Sequence, residues 1–371
     1  MKENDEMMSE VRVSVVVPTY NERENIDELL SRINTSLSGV DYEVVVVDDN
    51  SPDGTAERVI ELSSIYPVKL VKRAGKFGLS SAILDGVKVC RGDYVVVMDA
   101  DLQHPPEVIK DLLRYVGECD VVVASRYVKG GGVVGFPLTR RVISLGATYM
   151  ARVLIPQARK VRDPLSGFFL AKKELIEKTE LAVPSGYKTL LEIISQHSDL
   201  KICEVPYIFR ARVRGKSKLS RREILNYVKQ LLMIMPDYYK FAIVGASGVF
   251  VNLGVLWLLS YILLIPHFIS SIISIEASLI NNFVWNDLWT FKKRRFGKRW
   301  RRLLKYHGST IVGILAQYVV SQIAYYTLLR ESLTSQALGV LTGFVANYLI
   351  SKKYVWTQPR QTMMIESRLS S

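Results

Sequence analysis

Apolar positions in the first half of the chain come in short, nearly unbroken runs rather than in strict alternation. Val13–Pro18, Glu43–Val47, Val68–Val71, Tyr94–Met98 and Val121–Ser125 are rich in valine, and amphipathic stretches lie between them, the first at Glu22–Ile33. Strands that are apolar on both faces belong to parallel sheets covered by helices on each side. The pattern from Val11 to about residue 220 therefore predicts an α/β domain, preceded by a polar tail over residues 1–10. In such open sheets the ligand sits beyond the carboxyl ends of the strands, so those ends are where chemistry is sought. Asn21 is placed to cap the first helix, with Glu24 completing a capping box, and Thr55 to cap the second.

The pattern changes after residue 220. Arg221–Lys240 is basic and amphipathic, and is expected to lie on a membrane surface as one or two helices broken near Pro236. Packing of this segment against the α/β domain is the alternative. Four long apolar stretches follow: Phe241–Ile265, Phe268–Trp289 (interrupted by Glu276 and Asp287), Gly308–Leu329 and Ser335–Tyr354. Their lengths predict an all-α domain of four transmembrane helices over residues 241–356, with a tail at 357–371. An acid within a span is a functional candidate by default, so Glu276 is either functional or paired inside the bundle. The densest basic run, Lys292–Arg302, falls between the second and third stretches. Short basic loops stay on the cytoplasmic side, which places the α/β domain and both termini there too, in a multi-pass protein of the cell membrane.

Composition agrees with this division. Hydrophobic residues make up 49% of the chain and the mean hydropathy is positive, +0.14, with the excess concentrated in the second half. A net charge of +13 points to anionic partners such as headgroups or phosphorylated substrates. No helix-turn-helix, zinc-finger or RNA-recognition pattern is present, so nucleic acid is not expected as a partner. Cys90, Cys119 and Cys203 form no C-x-x-C pair and sit beside apolar residues, so they are expected to be small core residues rather than a disulfide framework or a metal site. The first ten residues lack an apolar core, so no signal peptide is expected.

Three strand ends carry chemistry. The first run leads into Pro18-Thr-Tyr20-Asn-Glu22, which sets a carboxylate and backbone amides at the sheet edge. The second ends in Asp48–Thr55 (DDNSPDGT), where adjacent acids at a buried edge need hydroxyls, amines or a cation. Asp49 or its neighbour can accept hydrogen bonds from a base or ribose. The fourth ends in DADLQHPP, where Asp99 and Asp101 share one face of an extended strand and Gln103 adds a neutral oxygen. Oxygen ligands alone suit a hard divalent cation, Mg²⁺ or Mn²⁺, bridging protein and phosphates. His104 is expected to be structural.

Together these motifs resemble glycosyltransferase family 2 with its GT-A (Rossmann-like) fold, and within it the dolichol-phosphate mannose synthase branch. The resemblance rests on VPTYNE, DDNSPDGT, RAGKFGLSSA (Arg73–Ala82), DADLQHPP, SRY (Ser125–Tyr127), DPLSGFF (Asp163–Phe169), EVPYIF and RVRGKSKL (Arg212–Leu219), and covers Val11 to Leu219. It implies that Pro18, Tyr20, Glu22, Asp49 and Asp99 line a nucleotide pocket. It also implies that Asp99, Asp101 and Gln103 hold the metal, Lys218 closes over the donor, and Arg126, Arg140, Ser144 and Arg212 grip an acceptor phosphate. Arg141, Arg210 and Arg214 are equivalent choices for that grip. The second half resembles the GtrA-like membrane domain through NNFVWNDLWTF (Asn281–Phe291) and its echo ANYLISKKYVW (Ala346–Trp356). Q-x-x-R-W, the mark of processive polymer synthases, is absent, and its nearest counterpart reads SQHSDL. These features imply inverting transfer of one mannose from GDP-mannose to a polyprenyl (dolichyl) phosphate. The alternatives are glucosyl or other hexosyl transfer to the same lipid, and a non-catalytic lipid transporter or anchor. Gly130–Thr148 and Arg210–Leu219 are expected to be mobile loops that admit substrates.

Overall fold

The computed structural model describes residues 12–183, 186–210 and 221–340, and its contacts divide the chain into two units, Met1–Met235 and Pro236–Ser371. In the first unit β1 (Val13–Thr19), α1 (Arg23–Ser36), β2 (Tyr42–Asp48), α2 (Thr55–Leu62), β3 (Val68–Lys72), α3 (Leu79–Val89) and β4 (Tyr94–Val97) alternate. After α4 (Ile109–Leu113) come β5 (Val121–Ser125), β6 (Gly132–Val134), α5 (Leu138–Leu154), β7 (Phe169–Lys172), α6 (Lys173–Glu177) and α7 (Thr189–Gln196). β8 (Ile202–Pro206), β9 (Ile208–Arg210) and α8 (Arg221–Ile234) complete it. All five valine-rich runs are strands. Their side chains fill two cores, one on each face of the sheet, which is why the runs do not alternate.

The main sheet has the order β3-β2-β1-β4-β7-β5-β8, parallel except for β7, and β6 pairs with β9 in a separate ribbon. The order reverses at β1, which pairs β2 as far as Thr19 but β4 only as far as Val16. The two strands part there, opening a crevice at the carboxyl edge. Pro18 lies beyond the last β4 partner, so its missing N–H costs the ladder nothing.

Several expectations are corrected. Asn21 is not a helix cap. It is left-handed (φ 60°), its N–H donates to Ser51 Oγ (2.9 Å), and Glu22 stands at the N-cap without a side-chain capping bond to the helix backbone. Thr55 begins α2 rather than capping it, because Asp53 Oδ1 accepts from both its N–H (3.0 Å) and its hydroxyl (2.6 Å). The Gly130–Thr148 region is not a loop, since it forms β6 and most of α5. Cys119 and Cys203 are joined in a disulfide, and only Cys90 is free. Sequence spacing hid this pair because parallel neighbours β5 and β8 bring residues 84 apart to a Cα separation of 6.1 Å.

α8 docks on the first unit. Tyr227, Leu231 and Met235 are buried, Gln230 Nε2 donates to Glu192 Oε1 (2.6 Å), and Tyr187 OH donates to the Glu223 carbonyl. Leu225 on the same helix is 69% exposed, so α8 keeps a second, apolar face.

The second unit opens with α9 (Asp237–Trp257) and α10 (His267–Trp285), each continued by a π-helical segment. The resulting helices, Asp237–Ile262 and His267–Thr290, are long and apolar enough to cross a bilayer. α9 and α10 cross where a Cβ on Gly248 would collide with the Asn282 amide, the close approach that small residues permit between membrane helices. Asp287 is explained by α11 (Arg299–Ile323): Arg302 clamps it with Nε–Oδ1 2.7 Å and Nη2–Oδ2 3.1 Å. The basic run is thus only partly a loop, because its second half is the first turn of α11. Glu276 is half-exposed and bonded to His307 Nε2 (3.0 Å). The third apolar stretch lies in α11 and its continuation to Leu329, and residues 332–340 are helical. The remainder of the fourth stretch and its Trp356 echo lie outside the described residues.

Candidate active site

Each strand that ends at the crevice is followed by a turn with one non-glycine residue in the left-handed region: Asn21 after β1, Asn50 (φ 57°) after β2 and Leu102 (φ 60°) after β4. Asparagine accepts this conformation readily; leucine does not, so Leu102 marks backbone strain held by its surroundings. The first two turns are laced together. Asp48 is fully buried, and its carboxylate accepts from Thr19 Oγ1 (3.0 Å), Ser51 Oγ (2.5 Å) and Ser51 N (2.8 Å). It therefore organises the turn and leaves the ligand-facing position to Asp49.

Asp49 is buried beside Arg73, whose Nη1 donates to Oδ1 (2.6 Å) while Nη2 reaches Ser81 Oγ (2.7 Å). Burial pushes the Asp49 carboxyl above its ordinary pKa, with Arg73 pulling it back. Lys76 from the same Arg73–Ala82 loop sits 4.1 Å above the Tyr20 ring. Glu22 Oε2 accepts from Asn25 Nδ2 (2.6 Å). Pro18, Tyr20, Glu22 and Asp49 thus stand on adjacent strand ends, as expected. Arg73 and Lys76 were legible only as part of a motif.

The acidic turn after β4 is held from two directions. Asp101 Oδ1 accepts the Gln103 N–H (3.1 Å), and Gln103 Nε2 donates to the Arg210 carbonyl (2.8 Å), which sets the amide oxygen on its other side. The Asp99 N–H donates to His104 Nδ1 (3.1 Å). His104 is buried against Phe168, Tyr207 and Phe209, and burial drives its pKa down to about 4, so it is a neutral acceptor at physiological pH. It is structural, as expected. Among the described residues no three His, Cys, Asp or Glu side chains gather into a metal cage. Two carboxylates and an amide are an incomplete shell for a hard cation, which fits an ion that substrate phosphates complete.

A second feature opens in the same unit. A cavity of about 630 Å³ is lined by Arg126, Arg140, Arg141, Lys188 and Ser144, with apolar walls from Ile143, Leu145 and Met150 of α5 and Ile224 and Val228 of α8. Its lining carries four cationic residues and no carboxylate. Arg126 is aimed by Asp163: Nε and Nη2 reach the two carboxylate oxygens at 2.7 Å each, and the Arg126 N–H adds a bond at 3.0 Å. Burial alone would lower the guanidinium pKa, but this bidentate pair raises it. Tyr127 OH and Ser144 Oγ are 3.0 Å apart, and Arg140 lies 4.3 Å above the Phe136 ring. Arg126, Arg140 and Ser144 are thus brought together. Arg212 and Lys218, and the rest of the Arg212–Leu219 segment, lie outside the described residues.

Lys188 had no signal in the sequence. It precedes α7, lines the cavity, and its Nζ donates to the Leu165 carbonyl (3.1 Å). Desolvation lowers its pKa to about 8, Arg126 adds to the depression, and Asp99 and Asp163 oppose it.

Residues 14–179 match the model of glycosyl transferase family 2, and residues 240–356 match the GtrA/DPMS transmembrane domain. A dolichol-phosphate mannosyltransferase of Pyrococcus furiosus is 45% identical over 353 residues, covering 93% of this chain and 99% of that one. One from Saccharomyces cerevisiae is 38% identical over 233 residues, covering 60% and 86%. Among solved structures, mannosyl-3-phosphoglycerate synthase from Rubrobacter xylanophilus superposes with a TM-score of 0.48 at 21% identity, over 62% of this chain and 75% of that one. The chain belongs to glycosyltransferase family 2 and, within it, to the dolichol-phosphate mannosyltransferases, with a GtrA-type transmembrane domain.

Proposed function

We propose that this protein transfers one mannose from GDP-mannose to the phosphate of a dolichyl-type polyprenyl lipid, with inversion, on the cytoplasmic face of the cell membrane. The observation that carries the reading is the cavity: four cationic residues and no carboxylate in its lining, with apolar side chains of α5 and α8 in its walls, in the unit that holds the acidic strand ends. That is the shape and charge of a lipid phosphate rather than of a soluble sugar. The 45% relative supports the choice of sugar and acceptor.

Asp49, Glu22, Tyr20 and Pro18 would receive the nucleoside, and Asp99, Asp101 and Gln103 would hold a divalent cation, Mg²⁺ or Mn²⁺, on the diphosphate. That cation supplies charge neutralisation for the leaving nucleoside diphosphate. Arg126, Arg140, Ser144 and Arg212 would grip the acceptor phosphate, and Lys218 would close over the donor. A phosphate monoester has its second pKa near roughly 6, so the nucleophile is largely dianionic at neutral pH and needs no strong general base. Catalysis is then positioning of two anions against each other, which requires the surplus of positive charge. In this reading the chain would comprise an α/β catalytic unit, amphipathic segments at the bilayer surface, and multi-pass membrane helices with both termini cytoplasmic.

The test is to supply the purified full chain with a polyprenyl phosphate and radiolabelled GDP-mannose or UDP-glucose. Mannosyl lipid formed only with GDP-mannose and a divalent cation supports the reading. Preferential glucosyl lipid, or lipid movement without donor turnover, overturns it.

A further inference from the structure

Lys188 is in an electrostatically poor position. It is half-buried, it stands at the N-terminus of α7 where the helix dipole disfavours a cation, and the Arg126 guanidinium is close enough to depress its ionisation. An ammonium carries three donors, and among the described residues Nζ has a single hydrogen-bond acceptor, the Leu165 carbonyl at 3.1 Å. No carboxylate bonds to it, although Asp163 lies near and is engaged by Arg126 instead. A cation held this way costs the fold stability: beyond the Leu165 carbonyl it meets the face of the Tyr187 ring, 5.4 Å away, and no hydrogen-bond acceptor among the described residues takes its remaining donors in the cavity it lines.

Its place is informative. The Leu165 carbonyl that anchors Nζ is two residues from Gly167, where an added Cβ would come within 3.5 Å of Asp99 Oδ2. Lys188 is thus anchored close to the acidic turn after β4, whereas Arg140 and Ser144 stand on α5.

We propose that Lys188 is a phosphate ligand of the acceptor: its ammonium takes the phosphate at the inner end of the cavity, opposite Arg140 and Ser144, and holds it against the sugar donor. This deepens the lipid-phosphate acceptor reading and rests on it. Lys188 touches substrate and shares the phosphate charge with Arg126, and Asp163 keeps the two cations from needing the same partner. The phosphate supplies the acceptor oxygens that the ammonium lacks in the unliganded cavity.

The experiment compares the full chain with Lys188→Met and Lys188→Arg, measuring polyprenyl phosphate binding directly, without donor, alongside steady-state transfer, GDP binding and thermal unfolding. Loss of a charge-assisted bond predicts that Lys188→Met weakens acceptor binding about 10- to 100-fold. GDP affinity should stay within about twofold, and the melting temperature should hold or rise because a costly buried charge is gone. Lys188→Arg should recover part of the acceptor affinity. The proposal is overturned if Lys188→Met binds acceptor within threefold of wild type, or if its melting temperature and GDP binding fall together, which marks a structural lysine. Should Lys188→Met not fold, a folded Lys188→Gln with no change in acceptor affinity overturns it equally. Wild-type protein that fails to bind polyprenyl phosphate at all would sink the acceptor reading itself, a different result from a lysine that does not matter.

Discussion

The Arg126–Asp163 pair allows a quantitative test of how the cavity is built. Asp163 is fully buried and Arg126 nearly so, and three hydrogen bonds of 2.7, 2.7 and 3.0 Å join them. Asp163→Asn keeps the shape and the acceptor for the Arg126 N–H but removes the charge that balances the guanidinium. Breaking a buried pair from one side costs about 3–5 kcal/mol, because the remaining ion is left without compensation. At about 2–4 °C per kcal/mol for a unit of this size, the melting temperature should fall by roughly 6–20 °C. Arg126→Met should cost a similar amount. The double variant leaves neither member of the pair uncompensated, and so should be more stable than the sum of the singles predicts, by about 2 kcal/mol. Thermal unfolding of the four full-length proteins in one detergent completes the cycle. The acceptor KM should rise in Asp163→Asn even though the arginine is still present, since the Nη2 bond and the negative charge that hold the guanidinium are gone. Singles that add within about 0.5 kcal/mol, or an Asp163→Asn protein within 1 kcal/mol of wild type, would refute the idea that this pair aims the cavity.

Three further outcomes are expected. Asp101→Ala should abolish sugar transfer while leaving the melting temperature within a few degrees, and near-normal turnover in that variant would remove Asp101 from the metal site. Stability should decline on acidification: His104 titrates near 4 when folded and near 6.5 when unfolded, so below about 6.5 the unfolded chain binds more protons, with about 3 kcal/mol lost by pH 4. Unfolding scans between pH 7 and 4 should show that loss in wild type and not in His104→Gln. Gly248→Ala should destabilise the α9–α10 crossing by about 1–3 kcal/mol, because the new methyl meets the Asn282 amide, and this is readable as earlier thermal aggregation in detergent.

The sequence by itself determined the elements that depend on local pattern. Five valine runs could only be strands buried on both faces, and the acids that follow β1, β2 and β4 marked the reactive edge before any strand order was known. Stretches such as Phe241–Ile265 declared a membrane unit by composition alone. What remained hidden required partners distant in the chain. The antiparallel insertion of β7 between β4 and β5 has no local signature, and neither has the Cys119–Cys203 pairing across parallel neighbours. Asn21 was misread as a cap because its backbone is committed to a left-handed turn whose partner, Ser51, comes from another strand end. Asp287, an anomaly within an apolar stretch, becomes intelligible only through Arg302. The cationic cavity is the clearest case. Arg126, Arg140, Asp163 and Lys188 span more than one motif and several elements, and electrostatic energy depends on distance through space, which a linear pattern does not encode. Tertiary structure alone decided which charges neutralise each other and which were left lining a cavity with no carboxylate.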